Sequence, residues 1–154
     1  MKKNRSSKSW IIKQHRDQFY KKSKVLGYRS RSAFKLIELN KKFKFIFQNT
    51  NLLDVGSSPG GWSQVASSII RVGKIVAIDK KPMEKIENVI FFKEDFSKED
   101  TKNKLLKIFE KKIDVVISDM AADTTGNKNL DCIRTNFLCS EVIEFSPQVL
   151  KKKG

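Results

Sequence analysis

A glycine-rich loop and four aspartates are the residues of this 154-residue chain best suited to hold a small polar ligand. The loop is Asp54-Val-Gly-Ser-Ser-Pro-Gly-Gly-Trp62, in which Gly56, Pro59, Gly60 and Gly61 leave little side chain between the backbone and whatever approaches it. It follows an apolar segment and opens a helical one, the context that gives a glycine-rich match its meaning. Its spacing differs from Gly-x-Gly-x-x-Gly, which seats a pyrophosphate on a helix N-terminus. A nucleoside cofactor without a phosphate therefore fits better than a dinucleotide, and a nicotinamide-dependent oxidoreductase is the weaker reading.

Asp79 ends the next apolar segment about 20 residues after the glycines, where a carboxylate can accept hydrogen bonds from both ribose hydroxyls. Asp95, in Glu94-Asp95-Phe96, can take an adenine amino group with Phe96 as an apolar wall, and Asp119 ends a further apolar run. Singly, Gly60 reads equally as a turn former, Asp79 and Asp95 as helix caps, and Trp62 as a core aromatic. Their weight comes from joint occurrence at four successive strand ends, which puts one site at the carboxyl edge of a sheet.

The elements that must position these residues are legible as an alternation. Strands are expected over 51–55, 74–78, 89–92 and 113–118, and helices over 62–70, 101–112 and 134–150, the last bent near Pro147. Apolar, β-branched strands alternating with helices predict an α/β fold with a parallel sheet covered on both faces. Upstream, an amphipathic helix is expected from Trp10 to Gly27, then a break at Gly27-Tyr28-Arg29. Ser30 or Ser32 can cap a second helix over 33–43, on which Ala33, Leu36, Ile37 and Asn40 share one side while Lys35 and Glu38 project from the other. Only four strands are visible, so the sheet is expected to lack its C-terminal strands and to leave the last one as an open edge.

The net charge of +15 is localised: residues 1–50 hold 15 Lys or Arg against Asp17 and Glu38 alone, whereas the rest holds 17 against 15. Counterion release favours an acidic polymer as partner, and Lys13, Arg16, Lys21, Lys22, Lys24, Arg29 and Arg31 are the candidate RNA contacts. The expected organisation is a basic, solvated tail over 1–9, a basic helical RNA-binding extension over 10–48 and a catalytic-type domain over 49–154. No apolar run reaches the roughly 18 residues that span a bilayer, which points to a soluble, cytoplasmic protein, and a monomer is expected. A single histidine and no Cys-x-x-Cys pair leave no metal cluster, and Cys132 and Cys139 are expected as reduced, partly buried thiols.

Five segments together resemble a known family, the FtsJ-type ribose 2′-O-methyltransferases of large-subunit ribosomal RNA. They are Gly27-Tyr-Arg-Ser-Arg-Ser-Ala-Phe-Lys-Leu36, Asp54-Val-Gly-Ser-Ser-Pro-Gly-Gly-Trp-Ser-Gln64, Ala77-Ile-Asp-Lys-Lys-Pro-Met83, Glu94-Asp-Phe96 and Ser118-Asp-Met-Ala121. The resemblance implies a Rossmann-like, S-adenosylmethionine-dependent methyltransferase fold, present in part over 49–154, and 2′-O-methylation of a ribosomal uridine. It implies a cofactor site of Asp54, Gly56, Pro59, Gly60, Gly61, Trp62, Asp79, Asp95, Phe96 and Asp119, with Asp54 placing the cofactor's amino-acid moiety.

It further implies that Lys35 and Asp119 belong to a Lys-Asp-Lys-Glu catalytic tetrad. The remaining Lys and Glu are expected beyond Gly154, and Lys151 to Lys153 fall in the turn before that strand. The chain as given is therefore expected to be weakly active or inactive, and a non-catalytic RNA-binding module with a degenerate methyltransferase fold is the alternative. Ala121-Ala122-Asp123 stands where the family has Ala-Pro-Asn, which removes a rigid turn beside Asp119.

Overall fold

The most continuous apolar runs of the sequence become three adjacent strands. The structure, a computed structural model, describes residues 17–109 and 112–152. Strands β1 (Leu52–Val55), β2 (Ile75–Asp79), β3 (Val89–Lys93) and β4 (Val115–Ser118) lie parallel in the order β3-β2-β1-β4. Helices α1 (Gln18–Val25), α2 (Ala33–Phe43), α3 (Gly61–Ile69), α4 (Glu99–Ile108) and α5 (Lys128–Val149) surround them. The expected solvated tail, the start of the first helix at Trp10, and Lys13 and Arg16 lie outside the described residues.

Side chains alternate across a strand, so neighbouring residues of β1 and β2 feed two cores. Leu52 and Ile75 join Ala33 and Leu36 of α2 and Trp62, Val65 and Ala66 of α3 on one face. Leu53, Val55, Val76 and Ile78 join Leu105 of α4 and Val142, Phe145 and Val149 of α5 on the other. Full burial of a leucine such as Leu52 or Leu53 contributes roughly 1.5–3 kcal/mol. The sheet is thus covered on both faces, and its register brings Val55, Ile78 and Ser118 level. The residues that follow emerge together at the carboxyl edge.

Several boundaries differ from expectation. Helix α5 starts at Lys128, six residues earlier than expected, because the Asn127 side chain accepts from the Asn129 and Leu130 amides and caps it. Helix α4 starts at Glu99, with Glu99 and Asp100 in its positive first turn, and ends at Ile108. Ser32 occupies the cap position of α2 but makes no capping bond, its hydroxyl pairing with that of Ser30 at 2.7 Å. Cys132 and Cys139 are exposed on α5, which corrects their expected partial burial.

Leu150 already forms a parallel bridge with Ile113, and Lys151 pairs with Asp114, so this segment meets the sheet at the foot of β4. Lys151 is therefore at the opposite end of β4 from Asp119. No helix among the described residues is long and apolar enough to cross a membrane.

Candidate active site at the carboxyl edge of the sheet

Gly56 leaves β1 with φ +79°, and its amide and that of Ser57 both donate to the Ile78 carbonyl, at 2.8 and 3.1 Å. A side chain cannot be added at Gly56, since its Cβ would lie 2.0 Å from Met120 Cγ. Asp79 ties the loop to the end of β2: Ser58 donates to Oδ2 at 2.9 Å and Lys81 to Oδ1 at 2.8 Å. Each oxygen has a second lone pair, so these backbone bonds leave acceptor capacity.

Asp95 accepts from the Ser97 amide and hydroxyl at 3.0 and 2.7 Å, with Lys80 Nζ at 3.7 Å. Burial pulls its carboxyl upward, but the Ser97 bonds, Lys80 and Lys98 together hold it below the usual range. Asp95 is therefore an ionised acceptor at neutral pH.

These residues border one cavity of about 510 Å³, whose walls include Gly56, Ser58, Asp79, Asp95, Phe96, Asp119 and Met120. That volume suits a nucleoside-sized ligand. Its outer wall is Ile133, Arg134, Phe137, Leu138 and Glu141 of α5, which sequence reasoning missed. The available signal was Ile133 and Phe137 at helical spacing, both mostly exposed because they face the cavity mouth instead of the core.

Asp54, Pro59, Gly60, Gly61 and Trp62 are not among the cavity walls. Protein closes on these residues instead. A Cβ at Gly61 would lie 2.0 Å from Ser30 Oγ, and one at Gly60 would lie 2.9 Å from both Ile86 Cδ1 and Met83 Sδ. Trp62 packs in the core and donates from Nε1 to the Ser32 carbonyl at 2.8 Å, while the Pro59 carbonyl faces Arg29. Asp54 is buried and accepts from Ser63 Oγ at 2.6 Å. Burial, opposed by that bond and reinforced by Asp79 and Asp119, pushes its carboxyl up to about 7.

Lys35 and Asp119 do meet: Lys35 Nζ donates to Asp119 Oδ1 at 2.9 Å. The face of α2 that points away from its own core thus turns its lysine to the cavity rim. The basic extension is less uniform than its composition. Arg29 is half-buried and its guanidinium donates to the carbonyls of Glu84 at 2.6 Å and Lys85 at 2.8 Å, so it fastens the fold instead of standing ready for RNA. Arg31 pairs with Asp17. Lys21, Lys22 and Lys24 lie exposed on α1, with Lys22 5.3 Å from the Phe34 ring centre and Lys24 5.8 Å from that of Tyr20.

The loop after β4, without the family's proline, is braced by α5. Ala122 donates to Thr135 Oγ1 at 3.2 Å, and Arg134 donates to the Asp123 carbonyl at 3.0 Å. Asp131 accepts from the Thr125 amide and the Thr125 and Thr124 hydroxyls, which pull its carboxyl down to about 2. Lys81 reaches across to Asp123 at 2.8 Å. Among the described residues no three His, Cys, Asp or Glu side chains gather as a metal site.

Comparison with known proteins agrees with this architecture. The chain is 49% identical, over all of its length and 76% of the other's, to the ribosomal RNA large subunit methyltransferase E of Pelagibacter ubique. The protein of that name from Rickettsia akari is 42% identical over 99% of this chain and 70% of its own. A crystal structure described as a ribosomal RNA methyltransferase from Plasmodium falciparum superposes with a TM-score of 0.71 at 37% identity, covering 80% of this chain and 73% of that one. The family model of FtsJ-like methyltransferases matches residues 28–154, and the chain belongs to that family.

Proposed function

We propose that the protein binds S-adenosylmethionine in the cavity and methylates a ribose 2′-hydroxyl, that of a uridine, in large-subunit ribosomal RNA. The observation that carries this reading is the Lys35–Asp119 pair at the rim of a cavity walled by Asp79, Asp95 and Phe96. The donor set fits the cofactor: Asp79 and Asp95 suit ribose hydroxyls and an adenine amino group, Phe96 offers an apolar wall, and carboxylates suit cationic groups better than a phosphate. The loop also holds Ser57 Oγ, buried without a hydrogen-bond partner, between Gly56 and Ser58 of the cavity wall.

S-adenosylmethionine, when bound, supplies a methyl group on a sulfonium leaving group. Asp119 would orient the hydroxyl through its remaining acceptor capacity and the Lys35 ammonium would stabilise negative charge growing on its oxygen, which bonds to the methyl carbon as the carbon–sulfur bond breaks and the hydroxyl proton passes to water. Much of the rest is positioning of the two reactants. Lys21, Lys22 and Lys24 supply phosphate contacts from α1. A ribosomal RNA substrate goes with a cytoplasmic protein, and because Lys35 and Asp119 come from one chain, a monomer would suffice.

The test is transfer of labelled methyl from S-adenosylmethionine to ribosomal RNA by the protein, followed by nucleoside analysis. Label is expected on a ribose, and Lys35→Ala and Asp119→Asn should each cut the rate by about 100-fold or more, Lys35→Ala while S-adenosylmethionine still binds. Label on a base or on protein overturns the ribose assignment. RNA binding without any transfer favours the non-catalytic module.

A further inference from the structure

The machinery described so far leaves α1 with an aromatic side chain that no part of the reaction uses. Phe19 is 52% exposed, although its ring rests on Phe34 with centres 5.7 Å apart and planes at 49°. Phe34 in turn meets Tyr28 edge-on at 5.4 Å, so Phe19 is the outer member of a stack anchored in the N-terminal segment. Scattered apolar residues are common on protein surfaces and need no explanation. This one is set among cations. Lys22, one helical turn from Phe19, holds its ammonium 5.3 Å from the Phe34 ring centre, and Lys21 and Lys24 flank it on the same short helix. Helix α1 carries no Asp or Glu, and Asp17 just before it is already paired with Arg31.

Phe34 is followed in α2 by Lys35, whose ammonium is held on Asp119. The residue that backs Phe19 is thus the immediate neighbour in α2 of the one whose ammonium meets Asp119.

We infer that Phe19, backed by Phe34 and flanked by Lys22, is a stacking platform for an unpaired RNA base that neighbours the target nucleotide. The inference rests on the RNA-methylating reading above and makes the basic extension a reader of single-stranded RNA, beyond a grip on phosphates. An exposed aromatic ring with a lysine one turn away matches a nucleotide's two parts, a flat base and an anionic phosphate. A base inside a duplex has both faces covered by its neighbours and cannot use such a platform. The consequence is selection for unpaired substrate without selection for base identity, because every base has a π-face.

The experiment compares binding of one RNA oligonucleotide, single-stranded and as a perfect duplex, by the whole chain and by Phe19→Leu and Phe19→Tyr, with melting curves as a folding control. Phe19→Leu is expected to weaken single-strand binding about tenfold and to leave duplex binding within about twofold, and Phe19→Tyr to restore the single-strand affinity. Equal weakening of both forms, or no weakening, overturns the platform. Should Phe19→Leu fail to fold, photocrosslinking of the unaltered chain to 5-iodouridine in the single strand decides the matter. A crosslink mapped by mass spectrometry to Phe19 supports it, and crosslinks confined to other residues overturn it. Unaltered chain that binds neither RNA form refutes the RNA-methylating reading itself, whereas binding that is insensitive to Phe19 refutes only this inference.

Discussion

Replacing Asp54 by asparagine should stabilise the protein in a way that depends on pH, and the size of the effect follows from where Asp54 sits. Its carboxyl is buried, accepts from Ser63 Oγ, lies within reach of the charges on Asp79 and Asp119, and rises from 3.8 to about 7. At low pH it is protonated in both folded and unfolded chains. As pH rises from about 4 to 7 the unfolded chain gives up this proton and the folded one retains it, so the unfolded state binds fewer protons and stability falls. Above 7 both forms are ionised and the loss is complete.

Each pH unit of that interval is worth ~1.4 kcal/mol. Between pH 5, where the unfolded group is already ionised, and pH 8, wild type should lose about 3 kcal/mol that Asp54→Asn does not lose. The substituted amide is close in shape to the protonated acid and can still accept from Ser63. The other shifted carboxylates, Asp17, Asp95, Asp114, Asp123 and Asp131, all lie below their usual range. Their stabilising contribution is lost only as pH falls below about 4, and it cancels in the difference between the two proteins. Thermal unfolding at both pH values measures the effect, and for a chain of this size 3 kcal/mol corresponds to a Tm lead that grows by about 6–12 °C. A lead of the same size at pH 5 and pH 8 would refute the argument, because Asp54 would then be ionised throughout.

Gly61→Ala forces a methyl onto Ser30 and is expected to cost ~1–3 kcal/mol by overpacking, while adding Ser30→Gly should recover most of it. Additive losses in the double variant, measured by urea unfolding, would show that the contact is not the cause. Cys132 and Cys139 should both react with a thiol reagent in the folded chain without a lag. Seven residues of helix hold them roughly 10 Å apart, too far to bridge, and a thiol that reacts only after denaturation contradicts their exposure.

The parallel sheet was readable because its signals are local. Apolar runs of β-branched residues form strands wherever both faces are covered, and the carboxylates that follow them, Asp79, Asp95 and Asp119, take their place from the strand ends alone. Helix α2 was equally plain, since Ala33, Leu36 and Ile37 repeat on one side. What local pattern does not carry is the identity of a neighbour. A glycine announces close approach without saying whether ligand or protein approaches, and at Gly60 and Gly61 it is protein. Charge has the same weakness: Arg29 counts towards a basic extension, yet its donors are spent on the Glu84 and Lys85 carbonyls. The start of α5 escaped because Ile133 and Phe137 serve the cavity, so the stripe that marks a core-facing helix is blurred there.

Lys35 and Asp119 lie 84 residues apart, and their meeting depends on how α2 is fixed to the rest of the fold. The residues that fix it belong to the glycine-rich loop and the helix it opens. Trp62 holds the Ser32 carbonyl, and Gln64 accepts from the Arg29 amide and donates to the Gly27 carbonyl. Gly61 lets Ser30 come against the backbone, and Arg29 reaches past Pro59 to Glu84 and Lys85. All of these grip residues 27–32, the segment that leads directly into the first turn of α2, where Lys35 sits. The front of the same loop, Gly56 and Ser58, borders the cavity and is tied to Asp79. One loop therefore sets the cavity wall with its first half and the position of Lys35 with its second. A change at Gly61 should reach methyl transfer through Lys35, although Gly61 is not among the cavity walls.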